Sequence, residues 1–218
     1  MEISENIFKL ELIGDQKMNC YVLHKNGHCL IIDPGYNKEV IQDYIDKSNF
    51  IVDGILLTHG HVDHVNAIDV YETNIYIHKL EIEMFNNNEI NGYDLFNRKK
   101  EFDVDKINFI YVEDKDIIKF LDEDIEVIHT PGHTPGSVCY KYRNYIFSGD
   151  TLFKEKVGEW RFKKGSLDDL KKSILRLMNY SDEVVLLPGH FEISTIGEER
   201  IKNKFFIRVI KELNKKVG

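Results

Sequence analysis

The chain has 218 residues, enough for one sizeable core. Its 42% hydrophobic and 30% charged content is that of a folded globular protein rather than a disordered one. Against 29 basic side chains stand 37 acidic ones, a net charge of −8. That balance excludes a general nucleic-acid binder, which needs a basic face to displace counterions from phosphates.

The start, Met1-Glu2-Ile3-Ser4-Glu5-Asn6, lacks the basic beginning and apolar stretch of a secretion signal. Residues 7–13, 20–25 and 28–33 then read as three successive strands, with Asn26-Gly27 as the hairpin signal between the second and third. Asp33-Pro34-Gly35 turns the chain into a helix over 37–47, with Asn37 as its cap and Val40, Ile41, Tyr44 and Ile45 on one face. A strand over 51–57 follows, then a helix near 66–72 and a short strand at Ile75-Tyr76-Ile77. Residues 86–106 are polar and charge-rich, with Arg98-Lys99-Lys100 among them. They read as a long surface excursion, either a lid or a solvated loop. Strands resume at 107–112, 117–121, 125–129, 137–142 and 145–149.

Ser166 and Asp169, at capping-box spacing, open a helix over 167–179 whose apolar face is Leu167, Leu170, Ile174, Leu177 and Met178. A strand over 183–187 precedes Pro188-Gly189-His190. A last helix near 198–215 turns Ile201, Phe205, Val209, Ile210 and Leu213 inward. Many short strands with helices between groups of them predict two sheets faced by helices, within one domain spanning 1–218. Cys20, Cys29 and Cys139 follow no metal or disulfide spacing and read as reduced, core-filling thiols. No run of about 18 apolar residues is present, so the expectation is a cytoplasmic protein without a membrane-spanning helix.

The strand over 51–57 ends in Thr58-His59-Gly60-His61-Val62-Asp63-His64. Packing gives no reason to crowd three histidines and an aspartate at one strand end. A zinc-type cation does, because imidazole and carboxylate are its nitrogen and oxygen donors. His59 and His61 suit one ion, and Asp63 and His64 a second beside it. Three later strands repeat the arrangement. One leads to Thr130-Pro131-Gly132-His133, one to Asp150 and one to Pro188-Gly189-His190. Glycine and proline there fix the turns and let backbone approach a centre.

These blocks resemble the metallo-β-lactamase-fold hydrolases, and within them the glyoxalase II (hydroxyacylglutathione hydrolase)-like branch. Thr134-Pro135-Gly136-Ser137, Ser148-Gly149-Asp150-Thr151-Leu152-Phe153 and Thr195-Ile196-Gly197-Glu198-Glu199-Arg200 add to the likeness, which runs in family order over nearly the whole chain. The resemblance implies an α/β (α+β) fold, a four-layer αββα sandwich with two divalent metals at one sheet edge. It places metal 1 on His59, His61 and His133, and metal 2 on Asp63, His64 and His190, with Asp150 bridging. Zinc is the first expectation, and iron or manganese also suit a mixed nitrogen and oxygen set.

The chemistry implied is hydrolysis of small (2-hydroxy)acyl thioesters by a metal-bridging hydroxide. Coordination lowers the pKa of a bound water from about 15.7 to about 7 and polarises the carbonyl. Asp63 and Asp150 are the carboxylates at the reaction, with Asp63 read as a metal ligand rather than a proton shuttle. Asp33 is the candidate partner for the far nitrogen of a ligand histidine, or else a turn-forming aspartate before proline. His24, His28, His78 and His129 read as surface or core histidines.

Lys154, Lys156, Arg161, Lys163 and Lys164 suggest a rim for an anionic small-molecule thioester, or an ordinary solvated loop. Trp160 reads as a packing anchor or a pocket wall. Residues 158–165 and Asn203-Lys204-Phe205 depart from the branch, and the sequence ends soon after its last predicted helix, so tripeptide-binding residues are not carried over. Within the same fold the alternatives are a persulfide dioxygenase using one iron and a lactonase. A metal-stabilised binding module is disfavoured by the complete ligand set. Flavin-dependent diiron relatives, which carry glutamate where His61 stands, are disfavoured too.

Overall fold

A computed structural model of the chain describes residues 1–14 and 17–217. Seven strands form the first sheet in chain order: β1 (Glu2–Ser4), β2 (Ile7–Ile13), β3 (Lys17–Lys25), β4 (His28–Ile32), β5 (Ile51–Leu56), β6 (Asn74–His78) and β7 (Asn108–Val112). The first four pair antiparallel, as tight turns allow. From β4 onward the pairing is parallel, because each connection crosses over one face of the sheet.

The second sheet begins with β8 (Ile117–Phe120), β9 (Glu123–His129), β10 (Val138–Tyr142) and β11 (Tyr145–Gly149). A small ribbon of β12 (Leu152–Phe153) and β13 (Lys156–Val157) follows. Then β14 (Val185–Pro188) and β15 (Ser194–Thr195) complete the sheet in the order β15-β14-β11-β10-β9-β8. Only β11 and β14 are parallel in it, and the helix α5 (Leu167–Leu177) makes their crossover.

Strand alternation builds three apolar layers from these two sheets. On β3, Tyr21 and Leu23 face the other sheet and meet Val127, Tyr140 and Phe147. Cys20 and Val22 face the opposite way, toward Ile41 and Ile45 of α1 (Lys38–Ser48). Behind the second sheet, Ile128, Cys139 and Ile146 pack on Leu170, Ile174 and Leu177 of α5 and on Phe206. The result is the expected αββα sandwich. All three cysteines are buried and free, as core fillers should be.

Several expectations need correction. Residues 66–72 are not helical; a four-residue helix, α2 (Val62–Val65), precedes them, and the chain leaves it in i→i+3 turns from Ile68 to Val65 and Val70 to Ala67. The β-branched run Val62, Val65, Ile68, Val70 disfavours continuation of the helix, since each such side chain loses rotamer freedom there.

The 86–106 stretch is not a bare excursion. After α3 (Ile82–Phe85) it forms α4 (Asn88–Asn91) and buries Ile90, Asn91, Tyr93 and Phe102. The Tyr93 hydroxyl donates to Asn66 Oδ1 at 2.7 Å.

The last helix is two, α6 (Ile196–Lys202) and α7 (Lys204–Val217). Buried Asn203 divides them: its Oδ1 accepts the amides of Phe205 and Phe206, which starts the second helix afresh. Ile201 and Leu213 are consequently exposed rather than inward.

At α1, Asn37 takes a left-handed conformation without capping the helix; its Oδ1 accepts the Ile13 amide instead, and Val40 is exposed. By contrast, Ser166 caps α5 as expected, accepting the Asp169 amide at 3.2 Å. Leu167 remains on the exposed side of that helix.

Candidate metal centre

Four strand ends deliver their polar residues to one edge of the sandwich. β5 supplies His59 and His61, and the helix α2 that follows supplies Asp63 and His64. β9 leads to His133, β11 to Asp150 and β14 to His190. Backbone bonds within the second sheet and between the two sheets hold these ends together. The Val138 amide donates to Thr58 O (2.9 Å), Gly189 to Gly149 O (2.9 Å) and Asn19 to Gly189 O (2.7 Å). The Tyr140 hydroxyl donates to Leu57 O and that of Tyr21 to Pro188 O, both at 2.8 Å.

All seven residues expected at the site meet there. Three groups of donor atoms each fall within 4.8 Å: His59, His61 and His133; His59, His64 and Asp150; and Asp63, His64 and His190. His133 Nε2 lies 2.8 Å from His61 Nδ1 and 3.2 Å from His59 Nε2. Asp150 stands between the two sides, its oxygens 3.3 Å from His64 Nε2, 3.6 Å from His190 Nε2 and 3.7 Å from His133 Nε2. Asp63 Oδ2 is 3.2 Å from His190 Nε2.

The far ring nitrogens are anchored. His59 Nδ1 meets the Thr58 hydroxyl (3.1 Å), His64 Nδ1 Asp33 Oδ2 (2.9 Å), His133 Nδ1 the Glu159 carbonyl (2.7 Å) and His190 Nδ1 the Lys17 carbonyl (2.7 Å). Such bonds fix tautomer and ring orientation and turn each Nε2 lone pair inward. Asp33 thus has the partner role considered for it. It also accepts the Thr58 amide (2.8 Å) and hydroxyl (2.7 Å).

Electrostatics divide the cluster. Burial first, and then the imidazoles of His64, His133 and His61, hold His59 well below the usual imidazole range; His61 is pushed down to about 3, and burial also lowers His133. Burial opposes charge on His64 and His190 as well. There the carboxylates win: Asp150, Asp33 and Asp63 hold His64 well above its usual value, and Asp150 and Asp63 bring His190 to about 9. The burial of Asp150 is likewise outweighed by His190 and His64, which keep it well below the usual carboxylate range. One side is therefore a set of neutral nitrogen donors and the other a set of carboxylates seeking cations. Buried His64 Nε2 and Asp150 Oδ1 face each other at 3.3 Å outside hydrogen-bond geometry and neither has another hydrogen-bond partner, an arrangement that a cation between them would satisfy.

Two glycines make the close approach possible. Gly132, beside His133, has φ +139, and a Cβ there would fall 2.4 Å from Leu170 N and Cα. A Cβ on Gly189 would fall 2.5 Å from His64 Cε1 and 2.6 Å from Asp150 Oδ1.

Sequence reasoning missed Glu81. It is fully buried, and its two oxygens accept the amides of Gly60 and Gly136, each at 2.7 Å, clasping the His59–His64 turn to the turn after His133. Nothing in its sequence surroundings marks it, because its partners are far away along the chain.

The four histidines set aside lie outside the cluster. His24 stacks on Phe50, His28 faces Asp53, and His78 and His129 stack on each other. Trp160 packs on Phe205 and does not line the pocket beside the cluster. The basic residues are largely neutralised: Arg161 pairs with Glu159, Lys163 with Glu89 and Lys164 with Glu83.

Two packed sheets between helices, with seven imidazole and carboxylate donors gathered at one edge, define a metallo-hydrolase type of protein. The chain belongs to the metallo-beta-lactamase superfamily, whose family model matches residues 14–190. Its fold binds divalent metals, and its members are metal-dependent hydrolases. Among curated relatives, the hydroxyacylglutathione hydrolase GloC of Haemophilus influenzae is 28% identical over 201 residues, 87% of this chain and 92% of that protein. Among solved structures, the BLEG-1 B3 metallo-beta-lactamase is 28% identical with a TM-score of 0.85, over 92% of this chain and 99% of the other. TTHA1623 in a di-iron-bound form is 27% identical with a TM-score of 0.80, over 91% and 99%.

Proposed function

We propose that the protein is a dinuclear-metal thioesterase that cleaves small acyl thioesters, in the manner of the hydroxyacylglutathione hydrolases it is related to. The observation that carries this is the convergence of seven donors, two of them (His64 through Nε2 and Asp150 through Oδ1) buried without a hydrogen-bonded partner, beside a pocket lined by His61, Asp63, His133, Asp150 and His190. His59, His61 and His133 would hold one ion and Asp63, His64 and His190 the other, with Asp150 shared. The bound ions supply an activated water at neutral pH and a Lewis acid for the carbonyl.

The reaction is thioester plus water to carboxylic acid plus thiol. This chain's residues orient and exclude. Nδ1 anchors on Thr58, Asp33, Glu159 and Lys17 keep the imidazoles aimed at one point. Asp63 is held ionised by His64 and His190 against its own burial, which suits a ligand and not a proton donor. A thiolate leaving group has a conjugate-acid pKa of about 8.5 and departs without a dedicated acid. Glu89 and Glu159, the other pocket carboxylates, are tied up in ion pairs.

Lys156 is the one pocket-lining cation with no carboxylate partner among the described residues, its Nζ 4.3 Å over the Phe191 ring. It supports the reading of a substrate that carries an anionic group. Zinc is the metal proposed, and iron suits the same donors. The test is release of thiol from an S-lactoyl thioester by the metal-loaded protein, lost on chelation and in Asp150→Ala. No turnover of a thioester panel by fully loaded protein overturns the proposal. One iron per chain with oxygen uptake on a persulfide replaces it with a dioxygenase.

A further inference from the structure

Beside the donor cluster lies a cavity of about 280 Å³ whose walls are mostly apolar. Phe162 stands on one side of the cluster, its ring 5.8 Å from that of His61 and 6.2 Å from that of His133. Phe153 and Phe191 stand on the other, with rings 6.0 Å and 6.3 Å from that of His190 and 5.3 Å from each other. Leu95 and Phe96 come in from the segment after α4. Phe162 is 43% exposed, Phe191 47% and Leu95 65%, although the fold buries most of its other large apolar side chains. Three such residues around one opening mark a surface that a ligand covers.

A thioester held by its carbonyl at the cluster has two arms, and the pocket can enclose only one of them. Its volume lies just below the roughly 300–1,000 Å³ of drug-sized ligand pockets, too little for a peptide-sized carrier. A single unmatched cation, Lys156, remains at the pocket since Lys163 is matched by Glu89, which suits one anionic group and not a carrier with several charges. The enclosed arm is therefore the acyl group, and the thiol carrier leaves through the mouth.

We infer that the substrate, on the thioesterase reading above, carries a bulky apolar acyl substituent, aryl or branched alkyl, gripped between Phe162 and the Phe153–Phe191 pair. Lactoyl thioesters, with a bare methyl group, leave that space unfilled.

The test compares N-acetylcysteamine thioesters of lactate and 3-phenyllactate, identical but for the phenyl ring, on the metal-loaded full chain. Expected is a kcat/KM at least about tenfold higher for the phenyllactoyl ester, by the usual worth of apolar groups in a fitted pocket. The ratio falls toward one in Phe162→Ala and, as an independent variant, Phe191→Ala. A wild-type ratio of one or below, with lactoyl turnover intact, overturns the inference and leaves the thioesterase reading standing. If neither ester is cleaved, that reading fails and calorimetry with the free acids decides this one. Phenyllactate binding about tenfold tighter than lactate supports it, and equal affinities overturn it.

Discussion

Oδ2 of Asp33 lies 2.9 Å from Nδ1 of His64, and the same carboxylate takes the amide and hydroxyl of Thr58. One side chain thus aims an imidazole and fixes the turn that carries His59. Removing the carboxylate's second acceptor leaves His64 free to rotate. Asp33→Asn is expected to weaken metal binding about 10- to 100-fold while the fold persists. Competition with a chromophoric chelator measures it, and unchanged affinity would sink the assignment.

Gly189 packs its α-carbon against the His64 ring and Asp150, leaving no room for a methyl group. Gly189→Ala must displace one of those anchored groups, at a cost of about 1–3 kcal/mol typical of overpacking. The expected result is a folded protein with a lowered melting temperature and fewer than two metals per chain. Full metal occupancy by elemental analysis would contradict it.

Glu81 gives a pH dependence with a definite sign. Burial raises its carboxyl from 4.5 to about 7, although the hydrogen bonds from Thr134, Gly60 and Gly136 pull the other way. Between those values the folded chain keeps a proton that the unfolded chain has released. The stability from this group is thus complete below about pH 4.5, falls as pH rises toward 7 and is flat above. The change is about 3 kcal/mol by the usual conversion. Unfolding free energies of metal-free wild type and Glu81→Gln, compared across this range, should show the wild type losing ground as pH rises. A constant difference would refute it.

Metal removal is the fourth test. A ligand bound by the folded state alone stabilises it by about 2.7 kcal/mol at a hundredfold excess over its dissociation constant. Adding zinc to chelator-treated protein should raise the melting temperature, and Asp150→Ala should blunt that rise because both sides of the cluster lose a shared donor. A melting temperature indifferent to zinc would count against a metal centre.

The seven candidate donors that the fold brings together were legible in the sequence because metal chemistry demands particular residue types, and each group follows a recognisable apolar strand. Asp33 was legible for the same reason, as a carboxylate closing a strand. The helix proposed for 66–72 failed since apolar spacing does not register the β-branched crowding that stops α2 at Val65. The single C-terminal helix failed at Asn203, whose capping role depends on the helix being interrupted. The lysine-rich rim read as a counter-charge. In the fold Glu83, Glu89 and Glu159 take up most of it.

The sequence by itself determined the sheets' alternation, the buried thiols and the seven donors, all properties of residue type and near neighbours. Only the tertiary structure decided that Glu81 would clasp Gly60, 21 residues before it, to Gly136, 55 residues after it, and that Phe162 and Phe191 would face each other across the donors. A lone glutamate or phenylalanine carries no local sign of such a partner. The contact exists because two sheets pack face to face and bring their strand ends to a common edge.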